Sequence, residues 1–244
     1  MKIALQMYSV RDAVKDEETL FAALEKVRKM GYEGVEFAGC FGADPEKLRD
    51  RLKELGLTAV GCHEALRSME AGDIDQLLAF YQKVGVKNFV CSFAPTAAPA
   101  EVEHLCGYMS MVKEKAEKLG MKTGYHNHYH EFKEMDGVKP IDKISACCPL
   151  ELDTYWSFVA GEDTGAFIRQ NRERIGLLHL KDGSRDGHPC AIGEGEADIR
   201  AVLEAARDMG AEWVIVENDN PVPDGFSDVA RSMDTLKTKF ADFL

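Results

Sequence analysis

One local pattern recurs along the chain and restricts the folds open to it. Six times a charged, helix-forming stretch ends in an apolar residue followed by Gly, and an apolar run begins at once. The joins are Arg28-Lys29-Met30-Gly31 into 32–38, Lys53-Glu54-Leu55-Gly56 into 57–63, and Gln82-Lys83-Val84-Gly85 into 86–93. The others are Glu117-Lys118-Leu119-Gly120 into 121–128, 172–176 into 177–181, and Arg207-Asp208-Met209-Gly210 into 211–217. Gly tolerates the left-handed conformation just past a helix end, and cations in the last turn suit the helix dipole. Each join therefore reads as a helix stop followed by a strand start. Residues 3–9 and 150–156 complete a set of eight strands. The segments between them carry helical periodicity, as in Leu20, Leu24 and Val27, or Leu77, Leu78 and Tyr81. Asp44-Pro45 supplies a helix cap with proline at the first helical position.

Eight strands alternating with helices over 244 residues most simply close into an α/β fold, a single (β/α)8 TIM barrel occupying 1–244 as one domain. A doubly wound open sheet is the alternative, but no G-x-G-x-x-G follows the first strand. Residues 182–196, rich in Gly and charge, read as a long strand-to-helix loop.

The charge balance, 30 Lys+Arg against 42 Asp+Glu for a net −12, argues against a nucleic-acid partner, whose phosphates are bound chiefly by Lys and Arg. No apolar run is long enough for a membrane helix, and the N-terminus enters a strand-like run without a signal-peptide layout. The seven cysteines include no C-x-x-C pair, and Cys147-Cys148 are adjacent, so free thiols in a reducing cytoplasm are expected. A homo-oligomer is compatible with all of this.

In a barrel of this kind the chemistry lies at the C-terminal ends of the strands, and residues of one parity point inward. Leu178 and Leu180 face the helices, which leaves Leu177, His179 and Lys181 inward; Val214 and Val216 likewise leave Ile215 and Glu217. Leu150 and Leu152 leave Glu151 and Asp153, Val35 and Phe37 leave Glu36, and Val60 and Cys62 leave His63. His126 and His128 share a parity in the fifth strand. A single inward His or Glu is ordinarily a satisfied core group. Six strands delivering Glu36, His63, His126 with His128, Asp153, His179 with Lys181, and Glu217 to one end demand a common partner, because each buried charge needs compensation. One divalent metal would satisfy several of them, and mixed imidazole and carboxylate donors suit Mn2+, Zn2+, Co2+ or Fe2+.

Several motifs together resemble the sugar-phosphate isomerase/epimerase branch of the xylose-isomerase-like TIM barrels, a superfamily that includes the AP endonucleases. They are Gly34-Val35-Glu36-Phe37, Tyr125-His126-Asn127-His128 with Glu131-Phe132, Asp153-Thr154-Tyr155-Trp156, His179-Leu180-Lys181-Asp182, Ile192-Gly193-Glu194-Gly195 and the strand 214–217. The resemblance implies a metal held at the ends of the fifth to eighth strands, typically by Glu, Asp, His and Glu. Asp153, His179 and Glu217 match, whereas His126 stands at the usual Glu position, and Trp156 stands where a His often follows the Asp. A proton clamp of two glutamates is therefore incomplete in this chain.

The leading expectation is a metal-dependent isomerase or epimerase acting on a small sugar, sugar phosphate or keto-sugar through an enediolate. Glu217 is the first choice for proton transfer, with His63, His126 and Lys181 as alternatives and Glu36 orienting a hydroxyl or His63. The alternative is a lyase or hydratase that begins with the same proton abstraction and then expels water or an aglycone from a keto-sugar or keto-inositol. A DNA-repair endonuclease would need more ligands and a basic surface, and a non-catalytic sugar-binding module would show a broken ligand set. Trp156 and Phe93 read equally as sugar-stacking walls or as ordinary packing, and His128, Trp156 and Glu194 are the candidate substrate-binding groups. The Gly193–Gly195 segment reads equally as a phosphate nest or a plain turn. His130 and Glu131 are candidates to orient His126 or His128, and His104 and His188 read as bystanders.

Overall fold

A computed structural model describes residues 1–244 throughout. Eight parallel strands close into a barrel in which each pairs with its neighbours in sequence and the last pairs with the first. They are β1 (Lys2–Gln6), β2 (Gly34–Phe37), β3 (Thr58–Ala65), β4 (Asn88–Phe93), β5 (Lys122–His126), β6 (Leu150–Asp153), β7 (Ile175–Leu180) and β8 (Trp213–Val216). Around them run α1 (Glu17–Met30), α2 (Pro45–Leu55), α3 (Leu66–Ala71), α4 (Ile74–Val84), α5 (Pro99–Lys118), α6 (Pro140–Cys147), α7 (Thr154–Val159), α8 (Thr164–Asn171), α9 (Ile199–Asp208) and α10 (Gly225–Lys239). No helix is long and apolar enough to cross a membrane.

The helices start and stop where local chemistry directs. Asp16, Asp44, Asp73, Asp163, Asp198 and Asp224 cap α1, α2, α4, α8, α9 and α10 by accepting backbone N–H groups, each contact being worth about 1 kcal/mol. Gly31, Gly56 and Gly85 end α1, α2 and α4 in the left-handed region, as the repeated joins require. The join at Gly176 differs. A short 3-10 turn, Arg172–Arg174, runs straight into β7, so Gly176 lies inside the strand. Two strands are also shorter than their apolar runs suggest. β1 gives way at Met7 to a 3-10 segment, and β6 ends at Asp153, whose carboxylate accepts the Trp156 N–H at 2.9 Å and so starts α7.

Two apolar zones result. Leu5, Val35, Phe37, Phe89, Leu152, Leu178, Leu180, Val214 and Val216 join the helices' buried faces in one large core outside the barrel wall. Inside, Ala4, Val60 and Ile215 form a small floor with Leu177 and Trp213 packed on it. The expectation that Val60 faces the helices is corrected here. Between Val35↔Ala59 and Glu36↔Gly61 the β2–β3 register slips by one residue, so Val60 points inward and His63, beyond the slip, does too. Roomy cavities open at the floor end, one of about 600 Å³ lined by Lys2, Val60, Leu177 and Trp213 among others. The titratable cluster lies at the opposite end.

The expectation of free thiols throughout is corrected as well. Cys106 and Cys147 are bonded, with Cα atoms 5.8 Å apart, and tie α5 to α6; the other five cysteines are free. No C-x-x-C spacing marks the pair, because the helix–helix contact brings it together.

The loop after β7 is organised by one buried side chain. Asp182 accepts N–H groups from Gly183 (2.8 Å), Gly193 (2.7 Å), Gly195 (3.1 Å) and Ala197 (3.2 Å). A Cβ at Gly195 would collide with that carboxylate. Asp182→Ala leaves these donors without their acceptor and is expected to cost about 2–4 kcal/mol in urea unfolding. A loss below about 0.5 kcal/mol, the level of an ordinary surface change, would show that the loop does not depend on this carboxylate.

Candidate active site and metal centre

At the C-terminal mouth, β5 to β8 deliver His126, Asp153, His179 and, directly after β8, Glu217. All four are buried, and each offers a donor atom within 4.8 Å of the others. His179 Nδ1 lies 3.1 Å from Glu217 Oε2, and His126 Nε2 lies 3.6 Å from Asp153 Oδ2. Lys181 Nζ reaches Asp153 Oδ2 at 3.0 Å, Glu217 Oε2 at 3.1 Å and Asp219 Oδ2 at 2.6 Å. Asp153 Oδ2 has this ion pair but no directed hydrogen bond.

A second set lies behind these donors. Glu151, two residues before Asp153 and of the same parity, places Oε2 at 2.5 Å from His63 Nε2, 3.1 Å from His126 Nδ1 and 3.2 Å from His179 Nε2. Glu36 Oε2 lies 2.7 Å from His179 Nε2 and 3.2 Å from His63 Nε2, and it accepts a hydrogen bond from Gln6 Nε2 at 2.9 Å. The imidazoles of His126 and His179 thus turn one nitrogen to the upper carboxylates and the other to the lower ones. A metal-ligating histidine is ordinarily oriented in this way, its second N–H donated to a carboxylate. Gly61 makes room for the arrangement, since a Cβ there would run into Glu36 Oε1.

The electrostatics derive from burial and this pairing. Burial opposes ionisation of Glu217, but Lys181 and His179 hold its carboxyl well below the usual range. Burial pushes Asp153 up to about 6, with Lys181 opposing and Glu217 adding to the rise. Burial works against protonation of His63, yet the facing Glu36 and Glu151 carry it up to about 10. His126 falls well below its ordinary value through burial and the neighbouring His179, so it is a neutral donor. Burial and Lys181 lower His128 to about 3.

The remaining expected residues divide. Trp156 lies under Lys181, whose Nζ is 5.2 Å from its ring centre, and His128 lies 5.3 Å from the His126 ring. Glu194 is not brought to the cluster. It is exposed and pairs with Arg231 at 2.8 Å, and the Gly193–Gly195 N–H groups face Asp182 in place of a phosphate. Glu131 accepts the Tyr125 hydroxyl at 2.6 Å and the His128 backbone N–H at 2.9 Å, which fixes the turn and leaves the His128 ring free. His104 and His188 are exposed, away from the cluster. Sequence reasoning assigned no role to Glu151, although its parity put it inside, and it missed Gln6, Asn127 and Asp219. Gln6 is in register with Glu36 at the end of β1, a signal that was available. Asn127 accepts the Asp153 N–H at 3.0 Å. Asp219 lies in an irregular loop, where no periodicity marks it.

A family model described as xylose isomerase-like TIM barrel matches residues 24–239. The chain belongs to this family. No curated protein sequence matches significantly. Among solved structures, it is similar to a sugar phosphate isomerase/epimerase from Parabacteroides distasonis at 21% identity and a TM-score of 0.83, covering 97% of this chain and 98% of that one. It is also similar to the probable 3-DHS dehydratase AsbF from Bacillus anthracis, at 14% identity and a TM-score of 0.77 over 98% and 100% of the two chains. The IolI protein with a bound zinc atom aligns at 15% identity and a TM-score of 0.75 over 100% and 98%. At these identities the likeness is one of fold.

The two-layer geometry makes Glu151 a test of ligand orientation in this family member. Glu151→Gln replaces one accepting oxygen with an amide that donates. Zinc affinity, measured by competition with a chromophoric chelator, should fall about 10–100-fold while the thermal transition is kept. Unchanged affinity would mean that the imidazoles hold their orientation without it.

Proposed function

We propose that the chain is an isomerase or epimerase of small sugars or keto-sugars that uses one divalent transition metal, Mn2+, Zn2+, Co2+ or Fe2+, held by His126, Asp153, His179 and Glu217. The observation that carries this reading is the convergence of two imidazoles and two carboxylates, each imidazole backed by a further buried carboxylate. When bound, such an ion supplies Lewis acidity to a substrate carbonyl and its neighbouring hydroxyl, which acidifies the C–H between them. The likeness to a sugar phosphate isomerase/epimerase and to a zinc-bound relative supports it.

The chain's own groups then divide the work. Glu217, ionised, takes the proton; Lys181, 3.1 Å away, steadies negative charge developing on oxygen. Glu36, Glu151 and His63 sit behind the donors and keep the imidazoles in their tautomers, and Gln6 fixes Glu36. His126 faces the same space as a neutral imidazole where a second glutamate would complete a two-base clamp. With one carboxylate base, removing the proton and returning it on the same face to the neighbouring carbon, an isomerisation, is the simpler chemistry, whereas epimerisation needs a second proton donor on the opposite face. The same feature favours a second reading, elimination of water or an aglycone from a keto-sugar, and the likeness to a probable dehydratase accords with it.

Glu217→Gln should lower turnover at least about 10²-fold with a smaller loss of metal, since an amide still offers oxygen but accepts no proton. Proton NMR in D2O across a panel of ketoses and keto-sugars reads the reaction. Deuterium uptake without elimination identifies an isomerase or epimerase, and a lost aglycone or water identifies a lyase. Near wild-type exchange in Glu217→Gln would move the base to another group of the mouth.

His126→Glu separates the two readings at constant metal content. An added carboxylate keeps or raises C–H exchange if a second base is what the clamp lacks. Elimination should fall if the imidazole protonates a leaving group, a task an ionised Glu performs poorly near neutral pH. Kinetics identical to wild type on every substrate, with metal content matched, would reduce His126 to a passive ligand.

A further inference from the structure

We propose a second binding site at the end of the barrel opposite the titratable cluster, in the cavity beneath the apolar floor, and assign it to an organic anion with a short apolar body. The apolar part enters between the strands, and the anionic group stays at the rim on Lys87 and Lys122.

The cavity follows from what the strands place below the floor. Inward positions recur every second residue, so beneath Ala4, Gly124 and Ile215 the rim is Lys2, Lys122 and Trp213. A barrel interior is ordinarily filled by bulky branched side chains, whereas β2 and β5 supply glycine at Gly34 and Gly124. The two glycines differ in what takes up the space. A Cβ on Gly34 would meet Val60 Cγ2 at 2.7 Å and Trp213 Cζ3 at 2.9 Å, so that side is packed. A Cβ on Gly124 would meet nothing closer than Val90 Cγ2 at 3.5 Å, so the side between β4 and β7 is hollow. Two cavities of about 600 and 280 Å³ open there, and both are walled by Asn88, Lys122, Ile175, Gly176 and Leu177, which makes them the outer and inner parts of one space. Val60 and Trp213 line the outer part, and Val90 and Gly124 line the inner part, which reaches Glu151.

The rim carries cations that the chain leaves unpaired. The Lys122 backbone N–H donates to the Lys87 carbonyl at 3.0 Å, so these two exposed lysines stand on adjacent strand starts, and neither makes an ion pair. Their neighbours are engaged. Lys2 pairs with Glu212 at 3.2 Å and lies 5.1 Å from the Trp213 ring centre, and Arg172 pairs with Glu173 at 3.2 Å. In a chain of net charge −12, two adjacent unpaired lysines beside an apolar opening form a local positive field, and an anion relieves their repulsion. An inorganic anion would satisfy the lysines and leave the apolar walls in water. An organic anion satisfies both, as pockets with apolar walls and a few placed polar groups generally do. Glu151 at the inner end fixes the orientation. Its carboxylate already faces the imidazoles of His63 and His126, so an anionic group gains no cation there and turns outward to the lysines.

The chain has two tryptophans, Trp156 at the reacting mouth and Trp213 at the floor, so full-length Trp156→Phe protein carries its only indole beside the proposed site. The probe is 4-phenylbutyrate, read by Trp213 emission excited at the red edge of indole absorption. The change should saturate with a Kd below about 1 mM. The uncharged analogue 4-phenylbutan-1-ol should bind at least about tenfold more weakly, and inorganic phosphate should not displace the acid. Replacing both lysines, Lys87→Gln with Lys122→Gln, should bring acid and alcohol to equal affinity. Gly124→Val, which fills the inner part, should weaken both ligands at least about tenfold with the thermal transition kept. No saturable change, equal binding of acid and alcohol to the parent protein, or displacement by phosphate would overturn the proposal. So would an undiminished preference for the acid in the double lysine variant, which decides the matter even where Gly124→Val does not fold. An unchanged Kd in folded Gly124→Val would overturn the placement between the strands. These outcomes do not depend on the reaction at the opposite mouth.

Discussion

Five carboxylates share the inside of one barrel mouth with a single lysine, and most of the surrounding architecture answers to that concentration of negative charge. Glu36, Glu151, Asp153 and Glu217 are buried, and an unpaired buried ion costs several kcal/mol. Lys181 meets this cost on one side by touching Asp153, Glu217 and Asp219 together. Three imidazoles meet it on the other, His126 and His179 wedged between carboxylates of the two layers and His63 between Glu36 and Glu151 of the rear one. Smaller features serve the same end. Gly61 leaves room for Glu36, Gln6 supplies it with an N–H, and Asn127 clasps the Asp153 backbone. Glu36 Oε1 and Glu151 Oε1 still lack partners, so the cluster retains acceptor capacity beyond what the chain supplies.

The barrel is legible in the sequence because its punctuation is local. A glycine after a cationic helix end and an aspartate before a helix start act within one turn, so they survive in sequence as visible marks. Strand parity then carries His179, Asp153, Glu36 and Glu217 to the correct side of the wall. Parity fails where geometry departs from a regular strand or depends on a distant partner. It puts Val60 on the wrong face because a register slip cannot be seen in a single strand. Neither the Cys106–Cys147 link between two helices nor the reach of Asp219 to Lys181 from an irregular loop leaves a periodic mark. The Gly193–Gly195 segment stays open in sequence between a phosphate nest and a turn, and the answer comes from Asp182, more than ten residues away.

Family membership fixes the scaffold and leaves the chemistry to a few positions. His126 stands where the resemblance implies a fifth-strand glutamate, so on the proposed reading it keeps a donor and drops one carboxylate base. Lys181 bears on this too. Held by three carboxylates and lying over Trp156, it is a fixed positive charge at the boundary between the polar cluster and the aromatic side of the mouth.

The slip between β2 and β3 gives this barrel an unequal ruler. From floor to reacting layer, β7 counts two residues, Leu177 to His179, and β8 counts two, Ile215 to Glu217, whereas β3 counts three, Val60 to His63. Loss of a residue at the slip itself would give β3 its neighbours' two-residue count and leave His63 inside, whereas loss of Cys62 with the slip kept would swing the imidazole into the greasy space behind the wall, taking with it the counter-charge between Glu36 and Glu151. Length changes in this strand are thus chemical lesions in disguise, and chains matched by residue count alone will pair His63 with side chains that never see the same cavity.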